Sequence, residues 1–194
     1  EFKIQVSDWL DPVAAEAQKM ENSKENTQLN SSLVSDMIQS GKLDQAVELV
    51  RNNGDEGQKE SGLRQIISSL RDSRDKEETA KVLKQVTEIA VTFRDVNRKR
   101  GVMNSVLYAL IKVEAFTQAM DVALVISDSD GNYSAFRSIA DAMGEITETK
   151  KRISFLKQAL KAAQNIEEKE VKKGQRSIKV GILGSIVEAP LIDK

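Results

Sequence analysis

The residue types that most often do chemistry are missing from this chain. Its 194 residues include no cysteine and no histidine. That removes disulfides, thiol nucleophiles, thiolate metal sites, the commonest general base and the commonest transition-metal ligand. Serines are frequent, but without an imidazole no Ser-His-Asp relay can form. Asp128-Ser129-Asp130-Gly131-Asn132 has the composition of a calcium loop. With Gly131 at the sixth loop position, however, the first would be Ile126 and the twelfth Arg137, where carboxylates are required, so it reads as a polar turn. Gly181-Ile182-Leu183-Gly184 lies inside an apolar helical pattern, and no G-x-x-x-x-G-K-[ST] loop occurs to cradle phosphate. The carboxylates of Asp141 and Glu145 stand one helical turn apart, a spacing that reads as a solvated face. The expectation is therefore no catalytic residue, no metal ligand, no cofactor and no enzymatic activity.

Basic groups are the other chemical resource. Arg94, Arg98, Lys99 and Arg100 form the sharpest cluster, and Lys150-Lys151-Arg152 and Lys172-Lys173 with Arg176 are others. Arginine-bearing turns between helices can grip phosphate, which makes an RNA- or nucleic-acid-binding protein the alternative reading. Against it, acidic residues flank each cluster (Asp95, Glu145, Glu148, Glu167, Glu168, Glu170), and the 29 basic and 30 acidic residues leave a net charge of −1. Such a balance gives no overall attraction to polyanions, and near helix C-termini the same cations complement the helix dipole.

The elements that would position these groups are helices. The phrase apolar-x-x-apolar-apolar-x-x-apolar recurs at Leu63/Ile66/Ile67/Leu70, Met103/Val106/Leu107/Leu110, Phe136/Ile139/Ala140/Met143 and Val180/Leu183/Gly184/Val187, with a weaker first copy at Asn30/Leu33/Val34/Met37. Positions i, i+3, i+4 and i+7 share one side of an α-helix. The copies start 33, 40, 33 and 44 residues apart. A second apolar helix follows each of the first four, at Leu43–Arg51, about Glu78–Phe93, Phe116–Ile126 and about Arg152–Ile166. Ser40-Gly41, Asn52-Asn53-Gly54 and the polar run 127–132 serve as breaks. The spacing within pairs also matches: Leu33 precedes Ala46 by 13 residues, as Val106 precedes Ala119, and 17 residues separate Ala46 from Leu63 and Ala119 from Phe136. Repeats of this length built from helix pairs are the mark of a solenoid, in which stacked pairs bury one continuous core.

Upstream, Phe2–Val6 alternates like a strand, Asp11-Pro12 opens a short helix running to about Met20, and 21–27 is polar and reads as a loop. The expected organisation is an N-terminal extension over 1–27 and a helical-repeat array over 28–194. The fold class expected is all-α, a right-handed α-solenoid of about four to five antiparallel helix pairs. Composition agrees. Apolar residues make up 40 % and aromatics only 4 %, and the two prolines, Pro12 and Pro190, stand near the ends. No apolar run reaches the roughly 18 residues that a membrane-spanning helix needs. The sequence starts at Glu1 rather than Met, as expected of a chain from which a leading segment has been removed. A soluble protein, cytoplasmic or exported, is the expectation.

The segment Leu33-Val34-Ser35-Asp36-Met37-Ile38-Gln39-Ser40-Gly41-Lys42-Leu43-Asp44-Gln45-Ala46 resembles a tetratricopeptide unit, with Gly41 between the helices and small Ala46 five places later. The 40- and 44-residue spacings are closer to HEAT-like pairs. A tetratricopeptide-like or HEAT-like resemblance implies a scaffold that binds a protein or peptide partner.

One register position singles out where such a partner would sit. Five places into the phrase the copies read Ser35, Ser68, Tyr108, Asp141 and Ser185, so this position is expected to face water or a groove. Tyr108 is its only aromatic, and aromatics and arginines dominate interface energies. One place into the phrase stand Arg64, Asn104 and Arg137. The partner-binding residues expected are thus Arg64, Asn104, Tyr108, Arg137 and Asp141, with Arg94, Arg98, Lys99 and Arg100 as the alternative basic edge.

Overall fold

A computed structural model describes residues 24–126, 135–136, 138–142, 153–154 and 157. The chain divides into two compact units, residues 1–109 and 110–194. The alternating run 2–6, the helix expected at 11–20, the polar turn 127–132, Gly181–Gly184, the basic runs at 150–152 and 172–176 and the last copy of the phrase lie outside the described residues.

Every described element is helical. The first unit holds α1 (Lys24–Gln39), α2 (Leu43–Arg51), α3 (Glu56–Ser69) continued by a 3-10 turn (Leu70–Asp72), and α4 (Lys76–Ala90). It also holds most of α5 (Val96–Lys112). The second unit contains α6 (Phe116–Val125) and helical residues at 135–136 and 138–142. The segment 21–27, expected as a loop, is helical from Lys24 onward. It contains neither proline nor glycine, so its polarity does not stop a helix from extending into it.

Two kinds of turn set the helix spacing. After α1, the Gly41 N–H donates to the Ile38 carbonyl and the Lys42 N–H to the Met37 carbonyl, at 3.0 and 2.8 Å. That pair of bonds closes a helix through a left-handed residue, and Gly41 has φ +76°. The turn from α5 to α6 repeats it. The Glu114 N–H donates to Ile111 and the Ala115 N–H to Leu110, at 3.0 and 2.9 Å, with Glu114 at φ +61°. The turns that lead into α3, α4 and α5 instead end on an aspartate. Asp55 Oδ1 accepts from the Gln58 N–H at 2.8 Å, Asp75 Oδ1 from the Glu78 N–H at 2.9 Å, and Asp95 Oδ1 from the N–H groups of Asn97 and Arg98 at 2.8 and 3.1 Å. Each satisfies first-turn donors that have no partner within the helix.

The core is the repeated phrase. Leu63, Ile66, Ile67, Met103, Val106 and Leu107 are all 2 % exposed or less, as is Met37. The second helices contribute Ala46, Val47, Val82, Leu83 and Val86 to it. In the first unit α1 packs against α2 and α3, α2 against α3 and α4, and α3 against α4. Close approach of α2 to α3 needs Gly62, where a Cβ would stand 2.4 Å from a methyl of Val50. Between residues 56 and 126 the helices keep one register. α3, α4, α5 and α6 start at 56, 76, 96 and 116, and Leu63, Leu83, Met103 and Ala123 are all buried, as are Ile66, Val86, Val106 and Ile126. The 40-residue spacing from Leu63 to Met103 is two such steps. The spacing from Asn30 to Leu63 is shorter because α2 has 9 residues where α4 has 15.

Candidate functional site

The stripe five places into the phrase is open. Ser68 and Tyr108 are exposed and Ser35 is half-buried in the first unit, and Asp141 is exposed in the second. The Tyr108 residue is 62 % exposed. Its position on α5 follows from the phrase itself. Val106, Leu107 and Leu110 point one side of the helix into the core, and Tyr108 lies on the opposite side. Asn104, one turn earlier, is half-buried. The neighbouring Ser105 hydroxyl donates to the Gly101 carbonyl at 3.0 Å, a bond back along its own helix.

Arg64 meets this stripe from α3. A Cβ on Gly101 would lie 2.6 Å from Arg64 Nη2, so the guanidinium rests against the α5 backbone one turn before Asn104. It is also engaged within the fold. Arg64 Nε and Nη2 donate to Glu60 Oε1 at 3.1 and 2.9 Å, and Arg98 Nη1 donates to Glu60 Oε2 at 2.7 Å. The Glu60 side chain, 19 % exposed, thus bridges two guanidiniums and links α3 to α5. Charge-assisted bonds of this kind are shorter and stronger than neutral ones. Arg64, Asn104 and Tyr108 are therefore brought onto neighbouring helices of the first unit. Arg137 lies outside the described side chains.

The basic turn is built into the scaffold. Arg98 is held by Glu60 and stands 3.7 Å from Asp95. Lys99 Nζ donates to the Val91 carbonyl at 2.9 Å, where a cation meets the negative end of α4. The main-chain N–H groups of Arg94 and Asp95 donate to the two oxygens of Glu56 at 2.8 and 3.2 Å. Those backbone donors, Arg94 first and Asp95 second, hold the Glu56 carboxyl below its usual pKa. The Arg94 side chain is exposed, and Arg100 is half-buried.

The second helices carry a different surface. Asp44 on α2 accepts from Lys81 and Gln85 on α4 at 3.4 and 3.3 Å, and Arg51 stands 3.7 Å from Glu88. Asp44, then Glu78, raises the pKa of the Lys81 ammonium. Among the described residues, no cluster of three acidic side chains is placed to hold a metal ion. No described helix is long and apolar enough to cross a membrane. No protein-family model and no curated protein matches this chain.

Two features of the site are not contained in the phrase. One is the Glu60 bridge, whose partner Arg98 lies 38 residues away; an acid and a base at unrelated registers give no sequence signal. The other is the run of capping aspartates, Asp55, Asp75 and Asp95, which recur every 20 residues. That period was available in the sequence, and it marks the starts of α3, α4 and α5.

Proposed function

We propose that this chain is a helical-repeat scaffold that binds a protein or peptide partner on the surface of α1, α3 and α5, without catalysing a reaction. The observation that carries this reading is Tyr108, a large amphipathic side chain left 62 % exposed in the middle of a regularly packed helix. An exposed tyrosine offers contact area at low entropic cost, and interface energy concentrates at such residues. Its surroundings favour contact over solvation. At the matching positions Ser31, Ser35, Ser68 and Asn104 are short and uncharged, and the cation there, Arg64, is already paired with Glu60. A right-handed solenoid of antiparallel pairs, tetratricopeptide-like or HEAT-like, is the architecture in this reading. It is supported by the packing of α1 on α3 and of α2 on α4 and by the shared register of buried positions. In such an array residues at one register position line up into a surface. Arg64, Asn104 and Tyr108 supply that surface in the first unit. The nucleic-acid alternative is weaker because Arg98 and Lys99 spend donors on Glu60 and Val91.

The test is site-specific photo-crosslinking from the full chain in its native extract, with the probe at position 108 or, as a control, at Glu88 on α4. The expected result is a discrete adduct from position 108 alone, sensitive to protease and resistant to nuclease, and lost when Arg64 and Asn104 are changed to alanine. Adducts from position 88 alone, or adducts removed by nuclease, would overturn the reading.

A further inference from the structure

The turn between α2 and α3 carries an Asn-Gly step, Asn53-Gly54, and its glycine is not there for conformation. Gly54 is exposed, its φ lies outside the left-handed region, and a Cβ built on it meets nothing within 4 Å. Gly41, in the preceding turn, is the contrasting case, with φ +76°. Among the described residues no acceptor takes the Gly54 N–H. The Asn53 carboxamide, by contrast, is held at both ends. Its Oδ1 accepts from the Asp55 N–H at 2.9 Å, and its Nδ2 donates to Gln58 Oε1 at 2.9 Å. Gln58 Oε1 also accepts from Asn30 Nδ2 on α1 at 3.3 Å. One carboxamide thus closes the turn and feeds the amide cluster that ties α1 to α3.

We propose that Asn53 is a spontaneous deamidation site, attacked by the main-chain nitrogen of Gly54, and that its conversion loosens the α2–α3 turn. The Gly54 nitrogen, having given up its proton to solvent, forms a bond to Asn53 Cγ. The electron pair of the carbonyl moves onto Oδ1, which the Asp55 N–H faces, so charge develops opposite a donor already in place. The Cγ–Nδ2 bond breaks and ammonia leaves with a proton from solvent, giving a five-membered imide. Water then adds to either carbonyl. Cleavage of the bond to Cγ returns a normal aspartate, and cleavage of the original peptide bond leaves an isoaspartate. No oxidant or reductant takes part. The aspartate would set a carboxylate against Gln58 Oε1, an acceptor against an acceptor. Gln58 could turn its NH2 toward the new carboxylate only if Asn30 reversed as well, so the whole amide cluster would have to rearrange. The isoaspartate would lengthen the main chain just before the Asp55 cap.

The experiment incubates the full folded chain at physiological temperature and mildly alkaline pH, then reads the peptide containing Asn53 by mass spectrometry with fragmentation that separates aspartate from isoaspartate. Gly54→Ala is the paired variant, because its Cβ fits the turn and hinders the attack. The expected result is time-dependent aspartate and isoaspartate at position 53, formed several-fold more slowly in Gly54→Ala, with the melting temperature of the wild type falling by several degrees as conversion proceeds. Retention of Asn53 over a period in which the urea-unfolded chain converts fully would overturn the proposal, since the fold would then protect the step. Equal rates in wild type and Gly54→Ala would overturn the mechanism. Conversion without a fall in melting temperature would overturn the link to the turn.

Discussion

Gly41 and Glu114 occupy the same left-handed position in two turns of the same type, yet one is a glycine and the other is not. A β-carbon in that region is strained, so the two substitutions should have opposite signs. Gly41→Ala should destabilise by about 1 kcal/mol although its Cβ meets nothing, because the cost is backbone strain. Glu114→Gly should stabilise by about 0.5–1 kcal/mol. Thermal or urea melts of the two variants check the pair, and a shared sign would show that the Glu114 turn is not left-handed in solution. Glu56 gives a second residue-scale expectation. Its folded pKa is depressed by the N–H groups of Arg94 and Asp95. Its contribution is therefore fully present above the unfolded carboxylate pKa and is lost as pH falls through the lower folded value. The stability difference between wild type and Glu56→Gln should be flat from neutral pH down to the ordinary carboxylate range and shrink below it. For Lys81 the sign reverses, since its folded pKa is raised by Asp44 and Glu78. That contribution holds below the unfolded lysine pKa and disappears as pH rises through the folded one.

At the scale of elements, a helix here is defined by its cap and by its phase. Asp55→Ala and Asp75→Ala should each cost about 1 kcal/mol, the usual loss of an N-cap acceptor, and amide exchange should rise first at Gln58 and Glu78, whose N–H groups they hold. The Glu60 bridge links α3 to α5 with partly exposed arginines, 47 and 42 % for the side chains of Arg64 and Arg98. Solvent screening discounts such pairs, so Glu60→Ala should cost only about 1 kcal/mol. Phase is tested by two aspartates. Ile139, 1 % exposed, occupies the buried position of its helix, and Ile139→Asp should destabilise by several kcal/mol by burying an unpaired charge, roughly 3 or more. Ser68→Asp, at an exposed position, should stay within about 0.5 kcal/mol. Similar melting for both would mean the helical phase is misassigned.

For the whole molecule, the described residues are helical in both units, and far-ultraviolet circular dichroism should be dominated by helix. A strand content above roughly 15 % would contradict an all-α chain, since ordinary domains carry about 20–25 %. The proposed function belongs to this scale too, because Arg64, Asn104 and Tyr108 can form one surface only where α3 and α5 are neighbours, as the Arg64 guanidinium beside Gly101 shows them to be. Tyr108→Ala should therefore weaken partner capture while moving the melting temperature by no more than a few degrees, as expected where a largely exposed side chain contributes little to the core. Replacing Arg98, Lys99 and Arg100 together should mainly lower stability, because two of the three hold Glu60 and the end of α4.

The sequence by itself determined which residues are inside. Apolar spacing at i, i+3, i+4 and i+7 is a local rule of helix geometry, and it placed Leu63, Ile66, Met103, Val106 and Ile139 in the core and Ser68, Tyr108 and Asp141 outside it. The bounds of α2 were equally legible, since Gly41 and Asn52-Asn53-Gly54 interrupt the chain on either side. The start of α1 was not, because a polar segment without glycine or proline carries no stop signal. Only the tertiary structure decided what the exposed charges do. Whether Arg64, Arg98 and Lys99 reach into solvent or close on Glu60 and the Val91 carbonyl depends on which helices become neighbours. That is set by long-range packing, such as the fit of Gly62 against Val50 and of Gly101 against Arg64, and no periodicity along the chain encodes it.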